Sequence, residues 1–86
     1  MIRILLAAIC LTSFATTLPA APPEVRVLTY NIHHGEGTDG KLDLERIAKV
    51  ITAARPDIVA LQEVDAKTHR TGNVDQAAEL AKLTKM

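Results

Sequence analysis

The chain has 86 residues, with ten basic and ten acidic side chains, and its formal net charge at pH 7 is zero. This balance excludes the overall positive field that is typical of nucleic-acid-binding domains. The sole cysteine, Cys10, leaves the chain with neither a disulfide framework nor a thiolate metal site. A metal bound by these residues would therefore need oxygen or imidazole ligands.

The first residues have the pattern of an export signal. Arg3 is followed by an apolar run from Ile4 to Leu11, and small residues lead to Ala20 and Ala21. The run is shorter than the roughly 20 residues that span a bilayer, so a retained membrane anchor is the weaker alternative. The pattern predicts a signal peptide at 1–21 that is cleaved after Ala20 or Ala21. We therefore expect a secreted or periplasmic protein without a stable membrane span.

The next segment predicts a short spacer, a β-strand and a loop. Two prolines stiffen residues 22–24, and Val25-Arg-Val-Leu-Thr-Tyr30 is rich in the β-branched and aromatic residues that favour strands. From His33 to Gly40 the chain carries three glycines, including the turn pair Asp39-Gly40, which predicts a loop. A loop that directly follows a strand is free to line a site.

An amphipathic helix and a second strand follow this loop. Asp43 can cap the helix, and Arg55-Pro56 ends it. Its apolar positions recur with a 3.6-residue period and are Leu44, Ile47, Ala48, Ile51 and Ala54. Ile58-Val-Ala-Leu61 is a continuous apolar run that continues into Gln62-Glu63-Val64, so we expect a strand that is buried on both faces.

The order strand, helix, strand predicts a βαβ unit with two parallel strands and a right-handed crossover. A second helix is predicted from about Val74 to Thr84, with Asp75 and Gln76 at its start. Its apolar surface would come from Ala77, Ala78, Leu80, Ala81 and Leu83. Residues 25–86 are therefore expected to form a β-α-β-α arrangement of the α/β or α+β class.

Two polar side chains stand at the ends of the two predicted strands. Asn31 comes directly after the first apolar run, and Glu63 comes after the second. Because the carboxyl ends of parallel strands share one edge of the sheet, these side chains can converge there. Amide and carboxylate oxygens are hard ligands that suit Mg²⁺ or Mn²⁺. The spacing alone favours the alternative, in which Asn31 only starts a turn and Glu63 only leaves a buried strand.

Two segments resemble the first two motifs of the endonuclease/exonuclease/phosphatase family. They are Leu28-Thr-Tyr-Asn-Ile-His33 and Pro56-Asp-Ile-Val-Ala-Leu-Gln-Glu-Val64, in the family's order and with one helix between them. The resemblance covers 25–86 and implies the N-terminal, truncated portion of a DNase I-like, four-layered α/β/β/α sandwich. It also implies active-site roles for Asn31 and Glu63, with Glu63 as a ligand of Mg²⁺ or Mn²⁺.

The same resemblance implies phosphoester hydrolysis, in which a metal polarises the phosphoryl oxygen and a histidine oriented by an acidic group activates water. The sequence contains neither the Gly-Asp-x-Asn nor the Ser-Asp-His segment of the family. We therefore expect this chain to be an inactive fragment of an exported phosphodiesterase, nuclease or phosphatase. Its substrate would be a nucleic acid, a phospholipid or a sugar phosphate, and no obligate protein partner is inferred. The alternatives are a small exported module that binds metal or phosphate without catalysis, and an unrelated flavodoxin-like fragment.

Three further side chains near the strand ends are candidate phosphate ligands. His33 and His34 directly follow the first strand, and Arg70 lies in the polar connection after the second. The alternative for each of them is an ordinary solvated loop residue. For Arg70 this alternative is favoured, since no neighbour in the sequence is predicted to fix its guanidinium group.

Overall fold

The computed structural model describes residues 7–86, and all of its regular secondary structure lies between Val27 and Thr84. Residues 7–26 form no helix or strand and are exposed. The predicted signal at 1–21 falls in part outside the described residues, and both its cleavage and the spacer at 22–24 stay predictions. Across residues 7–86, every helix is too short or too polar to cross a bilayer.

The two strands pair in parallel, as the sequence predicts. β1 spans Val27–Asn31 and β2 spans Ile58–Gln62, with Val27 opposite Ile58 and Asn31 opposite Gln62. β1 begins two residues later and ends one residue later than predicted, because its limits are set by its pairing with β2. The ladder continues one step further, where the Ile32 amide donates to the Gln62 carbonyl at 3.1 Å.

The first helix, α1, spans Leu44–Ala54, which confirms the predicted element. The Asp43 carboxylate accepts a hydrogen bond from the Arg46 amide at 2.9 Å and so satisfies one of the free donors of the first turn. The helix ends at Arg55, whose backbone is left-handed with φ of 51°. The buried face consists of Ile47, Ala48 and Ile51.

The second helix, α2, spans Gln76–Thr84, and Asp75 caps it by accepting from the Ala78 amide at 3.1 Å. Val74 lies outside the helix, two positions before its start. Leu80 is buried and Leu83 is half-buried. Ala77, Ala78 and Ala81, which were predicted to add to the apolar surface of α2, are exposed, and Ala77 and Ala81 border the same groove as Leu80. Helical periodicity instead places Gln76, Leu80 and Leu83 on the packed face.

The prediction that β2 is buried on both faces is also wrong. Val59 and Leu61 pack against the core, but Ile58 is 54% exposed and Ala60 and Gln62 are exposed as well. The core is formed by Ile32, Ile47, Ala48, Ile51 and Leu80, with Leu28, Tyr30, Val59 and Leu61 of the strands packed against it. Both helices therefore cover the same face of the sheet, and the opposite face is open to solvent.

Candidate functional site at the carboxyl ends of the strands

Asn31 is the last residue of β1, and its side chain is used in a turn. Its Oδ1 atom accepts a hydrogen bond from the His33 amide at 3.0 Å, and the residue is exposed. Asn31 therefore takes part in the turn after β1. An amide oxygen carries two lone pairs, so this hydrogen bond leaves Oδ1 able to accept from a second donor or to contact a cation.

Glu63 directly follows β2 and is exposed. Its backbone is left-handed with φ of 54°, a conformation that few residues other than glycine adopt. Its carbonyl accepts a hydrogen bond from the His34 amide at 2.8 Å, which ties the segment after β2 to the segment after β1. The strand ends at Gln62, whereas the predicted strand continues into Glu63 and Val64, because the left-handed turn at Glu63 breaks the extended backbone.

The structure brings Asn31 and Glu63 to the same edge of the sheet. Asn31 lies opposite Gln62 in the parallel register, and Glu63 is the next residue along the chain. A groove of about 320 Å³ is bordered by Asn31, His33 and Arg46 but not by Glu63. Within residues 7–86, no group of three or more His, Cys, Asp and Glu side chains is placed to hold a metal ion. Asn31 and Glu63 can therefore supply only part of a metal shell.

The two histidines after β1 differ in their surroundings. His34 is only 14% exposed at its side chain, and its Nε2 atom lies 3.2 Å from a Glu36 carboxylate oxygen. His33 is exposed, and its ring centroid lies 4.4 Å from that of His34. Both have left-handed backbones, with φ of 46° and 44°. His34 is therefore held in place by Glu36. His33, in contrast, resembles an ordinary solvated loop residue, which is the alternative that the sequence left open.

Arg70 has a partner that the sequence did not reveal. Its Nε and Nη2 atoms donate to the two carboxylate oxygens of Asp65 at 2.7 and 2.8 Å. The Asp65 side chain is 10% exposed and also accepts from the Thr71 hydroxyl at 3.2 Å, whereas the Arg70 side chain is 59% exposed. The expectation that no neighbour fixes the guanidinium group is therefore wrong. Asp65 lies only five positions earlier in the chain, and its carboxylate binds the Arg70 guanidinium group.

The charges around Arg70 reinforce this pair. The Arg70 hydrogen bonds hold the pKa of the Asp65 carboxyl below its usual range, against the opposing effect of burial. The hydrogen bond to Asp65 raises the pKa of Arg70, and the negative charges of Glu63 and Glu36 add to that effect. We use the name strand-end cluster for His34, Glu36, Glu63, Asp65 and Arg70. Their charges influence the pKa values of Asp65 and Arg70, but they form two separate side-chain pairs, His34–Glu36 and Arg70–Asp65, and not a metal-binding group.

Gln76 was predicted only to help start the second helix, and its connection to the site was missed. It is 2% exposed, its Oε1 atom accepts from the Asp65 amide at 2.9 Å, and its Nε2 atom donates to the His34 carbonyl at 2.8 Å. One signal could have found it. The spacing from Gln76 to Leu80 and Leu83 is helical, which places a polar side chain on the apolar face of α2.

A parallel sheet with helices on one face and polar side chains at the carboxyl ends of its strands defines an α/β protein, the class whose open sheets bind ligands at that edge. The sequence model of the Endonuclease/Exonuclease/phosphatase family matches residues 28–82, more than half of the 86-residue chain. The chain therefore belongs to the endonuclease/exonuclease/phosphatase family. Its β1-α1-β2-α2 order agrees with the N-terminal α/β portion of a DNase I-like fold. No curated protein and no solved structure matches the chain.

Proposed function

We propose that this protein is an exported phosphoester hydrolase, a phosphodiesterase, nuclease or phosphatase, that depends on Mg²⁺ or Mn²⁺. One observation carries the proposal: within a chain of this family, Asn31 ends one of two paired parallel strands and Glu63 directly follows the other. That edge is where open α/β sheets bind their ligands. The matched segment contains both residues and the whole strand-end cluster.

Asn31 and Glu63 are the residues that would hold the metal. Both are exposed, and they offer an amide and a carboxylate oxygen, the hard donors that Mg²⁺ prefers. Mg²⁺ is commonly bound through one or two carboxylates, with water and substrate phosphate completing its shell, so a partial protein site fits this ion. A metal bound there would polarise the phosphoryl oxygen and offset the charge that develops on it.

Arg70 is the side chain best placed to bind a substrate phosphate. Asp65 uses one donor of Nε and one of Nη2, which leaves three of the five guanidinium N–H groups for a ligand. The bidentate pair fixes the plane of the group, so less conformational entropy is lost when it binds an anion. His34, held by Glu36, and the more exposed His33 are the secondary candidates for the same phosphate.

Substitution of Glu63 by glutamine in the protein expressed from its complete gene tests this proposal. The change removes one negative charge and nearly preserves side-chain volume. We expect Mg²⁺-dependent hydrolysis of bis(p-nitrophenyl) phosphate or p-nitrophenyl phosphate to fall at least about 100-fold in kcat/KM, because loss of outer partners of a metal alone costs about 10- to 100-fold. Glu24→Gln is the matched control, since Glu24 is exposed and precedes β1 at the opposite end of the strand.

Metal removal completes the test. Chelation by EDTA should abolish hydrolysis by the wild-type protein, and added Mg²⁺ or Mn²⁺ should restore it. Binding of Mn²⁺ without hydrolysis of either substrate would support the non-catalytic metal-binding module instead. Hydrolysis that persists in EDTA, or that is equal in the Glu63→Gln and Glu24→Gln variants, would contradict the proposed role of Glu63.

A further inference from the structure

Gln76 makes an unusual set of contacts for the first residue of a helix. Its side chain is 2% exposed, and both of its polar atoms are hydrogen-bonded to backbone groups of other segments. Its own amide donates to the Asp65 carbonyl at 3.1 Å. The orientation of the side-chain amide group is determined by its two partners. A flipped side chain would place Oε1 next to the His34 carbonyl oxygen and Nε2 next to the Asp65 backbone amide. Two buried hydrogen bonds would then be lost.

These contacts hold Glu63 from both directions. Gln76 binds the His34 carbonyl, and the His34 amide in turn donates to the Glu63 carbonyl at 2.8 Å. On the other side, Gln76 binds Asp65, which is two residues after Glu63. Glu63 has a left-handed backbone, and such a conformation persists only where the surrounding structure fixes it. The Gln76 side chain provides that constraint from α2.

Gly35 leaves the space in which the Gln76 side chain reaches the His34 carbonyl. Its φ is 83°, and a Cβ atom at this position would lie 3.1 Å from Nε2 of Gln76 and 3.0 Å from Cδ2 of Leu44. A side chain at this position would therefore crowd the Gln76 and Leu44 side chains, which would have to shift by a few tenths of an ångström. The backbone after β1 is therefore shaped to receive the side chain from α2.

We propose that Gln76 is a positioning residue, which joins the segments after β1 and β2 and thereby sets the relative placement of Asn31 and Glu63 as metal ligands. This inference rests on the proposed function. Gln76 does not itself contact the metal or the phosphate. Its role follows from its hydrogen bonds to His34 and Asp65, which lie three residues after Asn31 and two residues after Glu63.

Two substitutions of Gln76 separate positioning from simple stabilisation. Gln76→Glu keeps the shape but replaces the Nε2 donor by an oxygen that faces the His34 carbonyl. Gln76→Met removes both polar atoms at similar size. Ala78→Glu is the control, because it adds the same charge to the first turn of α2 at an exposed position. All variants are made in the protein from its complete gene, with Glu63→Gln alongside.

The Mn²⁺ dissociation constant is measured from the electron paramagnetic resonance signal of free Mn²⁺, at a temperature where circular dichroism shows each variant folded. We expect Gln76→Glu and Gln76→Met to weaken Mn²⁺ binding about 10-fold, the lower end of the effect of residues that bond a metal ligand directly, because Gln76 acts on Asn31 and Glu63 only through His34 and Asp65. The Asp65 amide should also exchange with solvent faster. Ala78→Glu should behave as wild type. If Gln76→Glu does not fold, the Mn²⁺ affinity of Gln76→Met tests the inference.

Two results would overturn the inference in different ways. If wild type binds Mn²⁺ and Glu63→Gln weakens it, but folded Gln76 variants keep wild-type affinity and lose only thermal stability, Gln76 is structural and the proposed function stands. If wild type binds no Mn²⁺ and hydrolyses neither phosphoester, the proposed function fails and the positioning role fails with it.

Discussion

Three residues at the strand ends have left-handed backbones although none is glycine. They are His33, His34 and Glu63, with φ between 44° and 54°. Such conformations cost on the order of 1–3 kcal/mol each and occur preferentially at functional sites, where other contacts maintain them. Here the Asn31 side chain bonds the His33 amide, and the His34 amide bonds the Glu63 carbonyl. Four further non-glycine residues with positive φ lie elsewhere, at Arg55, Lys67, Asn73 and Lys85, so these three are distinguished by their hydrogen bonds at the strand ends and not by φ alone.

Asp39 and Arg46 form a second bidentate pair, beside the groove that contains Asn31. The Arg46 Nη1 and Nη2 atoms donate to the Asp39 carboxylate at 2.9 and 3.1 Å. The hydrogen bonds from Arg46, assisted by the Lys41 amide, lower the pKa of Asp39 to about 2. A side chain at Gly37 would collide with the guanidinium group, so this glycine keeps room for the pair.

This pair predicts a pH dependence. Because the folded-state pKa of Asp39 lies below its unfolded value of about 3.9, its contribution to stability is present above pH 4 and is lost as pH falls toward 2. We expect NMR titration of the Asp39 carboxyl to give a midpoint near the low value in wild type and a clearly higher one in Arg46→Gln. Lys41→Gln is the control, since only the backbone of Lys41 bonds Asp39. An equal midpoint in wild type and Arg46→Gln would refute the argument.

At the scale of elements, both helices begin with a capping aspartate and end at a left-handed residue. Asp43 and Asp75 accept from the amides three positions later, and Arg55 and Lys85 close the C-termini. These features involve neighbouring residues only. They explain why the limits of α1 were predicted correctly and why α2 begins at Gln76 rather than at Val74, directly after its cap.

Removal of a cap should destabilise the protein by a defined amount. We expect Asp43→Ala to lower the free energy of unfolding by about 1 kcal/mol, because one amide of the first turn of α1 loses its acceptor. Asp43→Asn should retain most of the stability. Lys49→Ala, at an exposed position in the middle of α1, is the control and should change little. Urea unfolding of the three variants measures the free energy of unfolding. Equal decreases in Asp43→Ala and Lys49→Ala would contradict a stabilising role of the Asp43 cap.

The burial of β2 was not predicted correctly from its apolar pattern. The continuous apolar run from Ile58 to Leu61 predicted burial on both faces, yet in the structure only alternate residues are covered. An apolar run indicates that a strand can be buried on both sides but not what covers it. Here both helices pack on the face of Val59 and Leu61, and Ile58 is left 54% exposed.

For the molecule as a whole, the core is small and one side of the sheet is open. Within residues 7–86, the buried apolar residues are Ile32, Ile47, Ala48, Ile51 and Leu80. On the open face, Val27 and Ile58 are 60% and 54% exposed. A four-layered DNase I-like sandwich, which the family resemblance implies, would place a second sheet against such a face. The apolar residues there are thus suited to packing that residues 7–86 do not themselves provide.

Export is a property of the whole chain and has its own test. If residues 1–21 are a cleaved signal, the protein recovered outside the cytoplasm should begin at Ala21 or Pro22, as measured by intact mass and N-terminal sequencing. Leu5→Arg should block export by placing a charge in the apolar run, whereas Glu24→Gln, beyond the cleavage site, should not. An exported protein that retains Met1 and stays in the membrane fraction would favour the anchor alternative.

The sequence by itself determined the order of the elements, the limits of α1, the helix caps, the parallel pairing and the two strand-end residues, because these depend on neighbours or on short periodicities. Its motifs also determined the family. Only the tertiary structure decided which face of β2 is open, that Asp65 fixes Arg70, and that Gln76 joins two segments. Gln76 reaches partners 11 and 42 positions away in the chain, and such hydrogen bonds form only after α2 packs against the sheet.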